Sequence, residues 1–145
     1  MIRNESDLFD RIKQYILPDL IKSPRSSDKY DCYCPKRGLI IELKCRSVHY
    51  DSLMIEKKKY QFLMEHYTYF GEKPVYINAT PYGVWFFKLT KMPEPSWIYR
   101  DMPESTKFGK RKKIKKWVGF IELSQGVNVT ERIAPDWDGN SPLVR

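Results

Sequence analysis

The sequence predicts one α/β domain built on a mixed sheet with helices against it. Three observations predict it. A strictly alternating apolar run over residues 39–46 is followed by a helical segment and then by a second apolar run, Val75-Tyr76-Ile77-Asn78. Strand, helix, strand in that order implies a right-handed crossover and parallel pairing. Turn-bracketed runs before the first strand and after the second add antiparallel hairpin partners, which makes the sheet mixed. A chain of 145 residues, 41% hydrophobic and 14% aromatic, fills one core and not two. The sequence contains no repeat and no domain boundary.

The elements follow in order. Asn4 caps a helix whose apolar residues Leu8, Phe9, Ile12, Tyr15 and Ile16 recur at helical spacing until Pro18 stops it. Glu5 lies on the same stripe in the first turn, where a carboxylate suits the helix dipole. Residues 23–29 form a turn-rich loop. Residues 30–34 and 39–46 then read as a hairpin over Pro35-Lys36-Arg37-Gly38, with Leu39, Ile41, Leu43 and Cys45 facing one way and Ile40, Glu42 and Lys44 the other. A four-residue turn sets Cys34 opposite Leu39, and counting back sets Asp31 opposite Glu42. Such partners share a face with Cβ atoms about 5 Å apart. Asp31, Glu42 and Lys44 therefore converge.

A polar loop over residues 47–52 leads to a second helix, expected from Leu53 to Tyr69. Its core stripe is Tyr60, Leu63, Met64 and Tyr67, and Gly71 and Pro74 end it. Residues 75–78 form the parallel strand, residues 80–83 a turn, and residues 84–89 an aromatic-rich hairpin partner. Pro93, Pro95 and Pro103 punctuate an irregular stretch. Residues 117–123 make one more strand, and the tail from Ala134 is expected to lie loose.

Charge narrows the function classes. The net charge is +8, and seven of the 26 basic residues fall in the decapeptide 107–116, so that the remainder is nearly neutral. A run so concentrated is the footprint of a polyanion, because each neutralised phosphate releases counterions; its plain alternative is a solvated charge run. The run has no apolar face for a membrane surface, and no stretch approaches the roughly 18 apolar residues of a membrane span. The polar N-terminus is unlike a signal peptide, so an intracellular setting is the expectation. Cys32, Cys34 and Cys45 read as reduced, buried strand residues, since a zinc site lacks a second ligand pair.

The convergent carboxylates carry the chemistry. Two acids side by side repel unless a cation lies between them, and oxygen ligands select hard ions such as Mg²⁺, which takes one or two carboxylates and keeps several waters. Such an ion lowers the pKa of a bound water and stabilises charge on a phosphoryl oxygen. Lys44 points at the same space. The sequence has no Ser-His-Asp set, no glycine-rich phosphate loop and no dinucleotide fingerprint.

Asp31, ten intervening residues and Glu42-Leu43-Lys44 at the end of an apolar strand resemble the PD-(D/E)xK nuclease superfamily. The order of helix with an acid, motif hairpin, helix and strand over residues 5–89 agrees, although Tyr30 stands where the name-giving proline would be. The resemblance implies a restriction-endonuclease-like core and a nuclease hydrolysing phosphodiester bonds in DNA, branched or otherwise structured. It implies that Asp31 and Glu42 bind Mg²⁺, with Mn²⁺ able to substitute, that Lys44 assists the attacking water, and that Glu5 is the helix acid near the metal. Small phage-type nucleases and Holliday-junction resolvases are the natural comparisons, because a homodimer would let so small a chain cut both strands. A non-catalytic nucleic-acid-binding module and an RNA-directed nuclease are the alternatives on the same fold.

Further residues are candidates for the phosphate grip: Arg46, which continues the parity of Lys44, Lys58 and Lys59 on the second helix, and Lys110, Arg111, Lys112, Lys113, Lys115 and Lys116 in the basic run. Tyr76, Tyr82, Trp85, Phe86 and Phe87 stack on bases or fill the core. His49 follows the motif and transfers protons or is an ordinary surface histidine.

Overall fold

Helix α1 (Glu5–Tyr15) starts where Asn4 Oδ1 accepts the Asp7 N–H at 3.0 Å, and it stops short of Pro18. A side-chain acceptor at the cap and a proline beyond the end dictate those limits. The computed structural model describes residues 1–24, 29–103 and 113–145. Strands β1 (Ile21–Lys22), β2 (Cys32–Cys34) and β3 (Leu39–Cys45) form an antiparallel ladder. A 3-10 turn over Pro35–Arg37 joins β2 to β3 and closes on Gly38 at φ 63°, a left-handed position that glycine takes without strain. Cys34 pairs with Leu39 and Cys32 with Ile41, in the expected register. The ladder ends there: the Asp31 N–H donates to the Ile41 carbonyl at 2.9 Å, one residue out of that register, so Asp31 is not the ladder partner of Glu42 that the turn count predicts.

The second helix begins later than the sequence suggests. Leu53 to Glu56 belong to strand β4 (Ser52–Glu56), and helix α2 runs from Lys57 to Phe70. Leu53 and Ile55 are buried at a period of two, and their strand pairs with residues 118–122, a partner that no local pattern announces. Strand β5 (Lys73–Thr80) lies parallel to β3, which sets Glu42 beside Tyr76 and Lys44 beside Asn78, and β6 (Gly83–Lys88) returns antiparallel.

The stretch punctuated by prolines holds another strand, β7 (Ile98–Pro103), and the last long strand, β8 (Lys113–Glu122), starts four residues before Trp117. They form a separate three-stranded sheet in the order β4-β8-β7, with Pro103 at the end of an edge strand, where its missing donor is tolerated. Lys113, Lys115 and Lys116 of the basic run are thus sheet residues. Lys110, Arg111 and Lys112 lie outside the described residues. At Gly119 on β8 a Cβ would come 2.6 Å from Pro95 Cβ and 2.9 Å from the Trp97 ring, so only glycine admits that close approach. A short β9 (Val127–Asn128) completes the central sheet, ordered β1-β2-β3-β5-β6-β9, before helix α3 (Thr130–Ile133).

The central sheet buries both faces. Ile41, Leu43, Val75 and Ile77 pack with α1, α3 and the C-terminal residues, while Ile40, Tyr76 and Phe87 pack with α2 and the three-stranded sheet. Tyr76, Trp85 and Phe87 are core, Phe86 packs partly buried against it, and Tyr82 stays exposed. The tail expected to lie loose is packed instead. Leu143 and Val144 are buried, Val144 bridges to Ile2, and the Leu143 N–H donates to the Pro81 carbonyl at 2.9 Å. Two adjacent apolar residues in a polar tail supply enough burial to hold it. Among the described residues, no helix is long and apolar enough to cross a membrane.

Candidate active site

The site grows out of the end of β3. Leu43 and Cys45 turn their side chains to the α1 core, and Glu42 and Lys44 turn theirs to the α2 face with Ile40. Because the β2 ladder stops at Cys32, the Leu43 N–H has no strand carbonyl to meet. The Asp31 carboxylate takes its place, with Oδ2 accepting that N–H at 2.7 Å. Two residues on, the Cys45 N–H donates to Glu5 Oε1 at 3.4 Å. Alternate N–H groups of a strand share one edge, about 7 Å apart. Glu5 and Asp31 therefore line the same edge of β3, each standing in for a missing neighbour.

Glu42 is the electrostatic centre. Burial first, and then the charge of Asp31 beside it, push its carboxyl up to about 7, with a side-chain hydrogen bond to Asp31 acting the same way; Lys59 pulls it down. Lys59 Nζ lies 3.2 Å from Glu42 Oε2 as its ion-pair partner, and among the described residues no donor is aligned on that buried oxygen for a hydrogen bond. The ammonium also donates to the Lys29 carbonyl at 3.2 Å. Asp31 and Glu42 are thus near enough to interact, though not as cross-strand partners, and Lys59 rather than Lys44 is the countercharge.

Lys44 is exposed and makes no hydrogen bond or ion pair among the described residues. Arg46 differs from it. Its Nε donates to Asn78 Oδ1 at 2.8 Å, and its Nη2 donates to the Met54 carbonyl at 2.6 Å and to the Tyr76 hydroxyl at 3.0 Å. The guanidinium thus ties β3 to β4 and β5, and its work is internal. Lys58 is exposed on α2. His49 is engaged elsewhere: its Nδ1 lies 2.8 Å from Thr80 Oγ1, its Nε2 lies 3.7 Å from Asp51 Oδ1, and its ring packs against Tyr82 and Trp85.

The donor set suits a hard divalent cation. Among the described residues no three His, Cys, Asp or Glu side chains are grouped for a metal. Asp31 and Glu42 alone supply the one or two carboxylates that Mg²⁺ takes from a protein, and the Glu42 oxygen that faces Lys59 has no aligned hydrogen-bond donor among the described residues. The thiols do not suit zinc here, since Cys32 is buried, Cys45 is half-buried, and burial pushes both up to about 12.

Two features escaped the sequence reading. Asn78 and Tyr76 complete the Arg46 network; once β5 is laid parallel to β3, counting alone puts Asn78 beside Lys44. Trp117 and Tyr99 stand exposed beside the α2 lysines, and no spacing in the chain brings them together.

No known protein family matches the sequence, and no curated protein does. Among solved structures the chain is similar to the Holliday junction resolvase Hjc of Archaeoglobus fulgidus, an archaeal hyperthermophile. The TM-score is 0.52 at 16% sequence identity, over 88% of this chain and 94% of that one. The likeness is one of fold: a central mixed sheet flanked by helices, the restriction-endonuclease-like core that the sequence leads one to expect.

Proposed function

We propose that the chain is a divalent-metal-dependent nuclease that hydrolyses phosphodiester bonds in DNA, with branched DNA as its preferred substrate. The observation that carries the reading is the half-buried, adjacent carboxyls of Asp31 and Glu42 at the end of the motif hairpin, with the Lys44 ammonium, unpaired among the described residues, two residues further along the same strand face. A protein that only grips phosphate gains nothing from clustered acids. The resolvase-like fold supports branched DNA and a pair of chains acting together.

In this reading Asp31 and Glu42 hold Mg²⁺ or Mn²⁺, and Glu5 reaches the same strand edge from α1. The ion, when bound, supplies an acidified water and a countercharge for the phosphoryl oxygens. Asp31 is held in place by the Leu43 N–H, so its carboxylate is positioned before anything binds. Lys44 has its protons and charge uncommitted among the described residues, and it orients the attacking water or offsets the phosphate. Lys59 holds Glu42 in its rotamer through the ion pair.

The deciding experiment is a panel of supercoiled, linear, single-stranded and four-way-junction DNA, together with RNA, incubated with and without millimolar Mg²⁺ or Mn²⁺. The expected result is metal-dependent nicking, strongest on the junction. If neither ion stabilises the fold thermally or produces cleavage of any substrate, the enzyme reading is wrong.

A further inference from the structure

On the outer face of the three-stranded sheet, Tyr99 and Trp117 are paired across β7 and β8, with ring centroids 4.9 Å apart and planes 12° from parallel. They are 58% and 49% exposed. Trp117 borders a groove of about 770 Å³ between α2 and β8, whose rim carries Lys29, Lys57, Lys58, Lys59, Lys115 and Lys116. The acid among its described lining residues, Glu56, is already paired with Lys116 at 2.8 Å. Lys57 Nζ lies 5.4 Å from the Trp117 ring centre, and Lys115 Nζ lies 5.7 Å from that of Tyr99.

Two large rings half out in water do little for the core, and a groove so basic calls for a polyanion. A second copy of this chain is a poor occupant, since a two-fold interface would set the same lysines against each other. Duplex DNA offers the groove its phosphates but not the faces of its bases, which are already stacked. An unpaired strand offers both. Base–aromatic stacking outweighs an exposed cation–π contact, so a base can displace one ammonium from its ring and leave it to a neighbouring phosphate.

We propose that Trp117 and Tyr99, with the lysine-rimmed groove beside them, form a stacking platform for unpaired nucleobases of a single DNA strand. It rests on the reading of the chain as one that acts on DNA, and it adds the form of DNA recognised. The platform would hold a strand that leaves the duplex at a branch or a frayed end.

The test uses the full chain in EDTA, so that binding is read apart from cleavage. Fluorescence anisotropy measures its affinity for a labelled oligothymidylate of about 12 nucleotides, within the usual site size of a stacking groove, and for a blunt duplex of the same length. Trp117→Ala is expected to weaken the single strand about tenfold or more and the duplex less than about threefold, while Trp117→Phe keeps most of the affinity. An unchanged single-strand affinity in both Trp117→Ala and Tyr99→Ala overturns the platform alone. Equal weakening on both forms of DNA also overturns it, because the ring would then only support the lysines. So does a change in sedimentation from dimer to monomer with single-strand binding intact, which would make the patch an interface. A parent chain that binds neither DNA removes the DNA reading as well.

Discussion

At Glu42 the protein buries a carboxyl next to another carboxyl and offers it one ammonium, an arrangement that spends folding free energy at a single strand position. Glu42→Gln keeps the shape and removes the charge that would hold a cation. Lys59 is one-third exposed and can turn to water, so the fold should survive. Cleavage should fall about 100-fold or more, the cost of losing several kcal/mol of charge stabilisation, and the thermal shift on adding Mg²⁺ should vanish. A fully active Glu42→Gln protein would remove this residue from the mechanism. Lys44 separates chemistry from binding. Its ammonium makes no hydrogen bond or ion pair among the described residues, so Lys44→Ala should lower turnover about 100-fold, the lower end for a proton-transfer group, while calorimetric Mg²⁺ affinity moves by less than about twofold. Abolished metal binding with the fold intact would mean that Lys44 orders the site instead.

At the level of elements, the motif hairpin was legible because its information is local: alternation fixes the faces, and a four-residue turn ending in Gly38 fixes the register. β4 was not, because Leu53-Met54-Ile55-Glu56 suits a helix start as well as a strand. Only β8, some sixty residues on, decides between them. Arg46 shows the same limit for a side chain. Strand parity places it beside Lys44 and suggests phosphate, but the Met54 carbonyl that captures it belongs to the unread strand. Its role is to hold β3, β4 and β5 together, which predicts a stability effect. Arg46→Ala strands the buried Asn78 Oδ1, which costs about 1–3 kcal/mol, while the Tyr76 hydroxyl keeps its 3.1 Å bond to the Met54 carbonyl. Relaxation and water entry recover part of that, so urea unfolding should show a loss of about 1–2 kcal/mol. A loss below about 0.5 kcal/mol would return Arg46 to the rim as a surface cation.

Over the whole molecule, the sequence located the charge but not its partner surface. Seven basic residues in ten pointed to a polyanion, whereas the groove that Lys115 and Lys116 share with Lys57, Lys58 and Lys59 appears only once α2 packs against β8. The grip on a duplex therefore has two candidate sources, the basic run and the α2 lysines, and salt dependence divides them. Each phosphate contact contributes about 0.9 to the slope of log affinity against log salt. Replacing Lys110, Arg111, Lys112 and Lys113 with Ser should weaken duplex binding at moderate salt and flatten that slope by about three units, if three to four of them meet phosphate. Replacing Lys57 and Lys58 with Ser should flatten it by at most about two. Lys59 is left out of the count, because its ammonium is held between Glu42 and the Lys29 carbonyl. Because such contacts position a duplex without reading its sequence, both variants should weaken all duplexes alike. If the four-residue variant keeps the parent's slope while the Lys57, Lys58 variant loses it, the run is a solvated segment and the duplex is gripped from α2 alone.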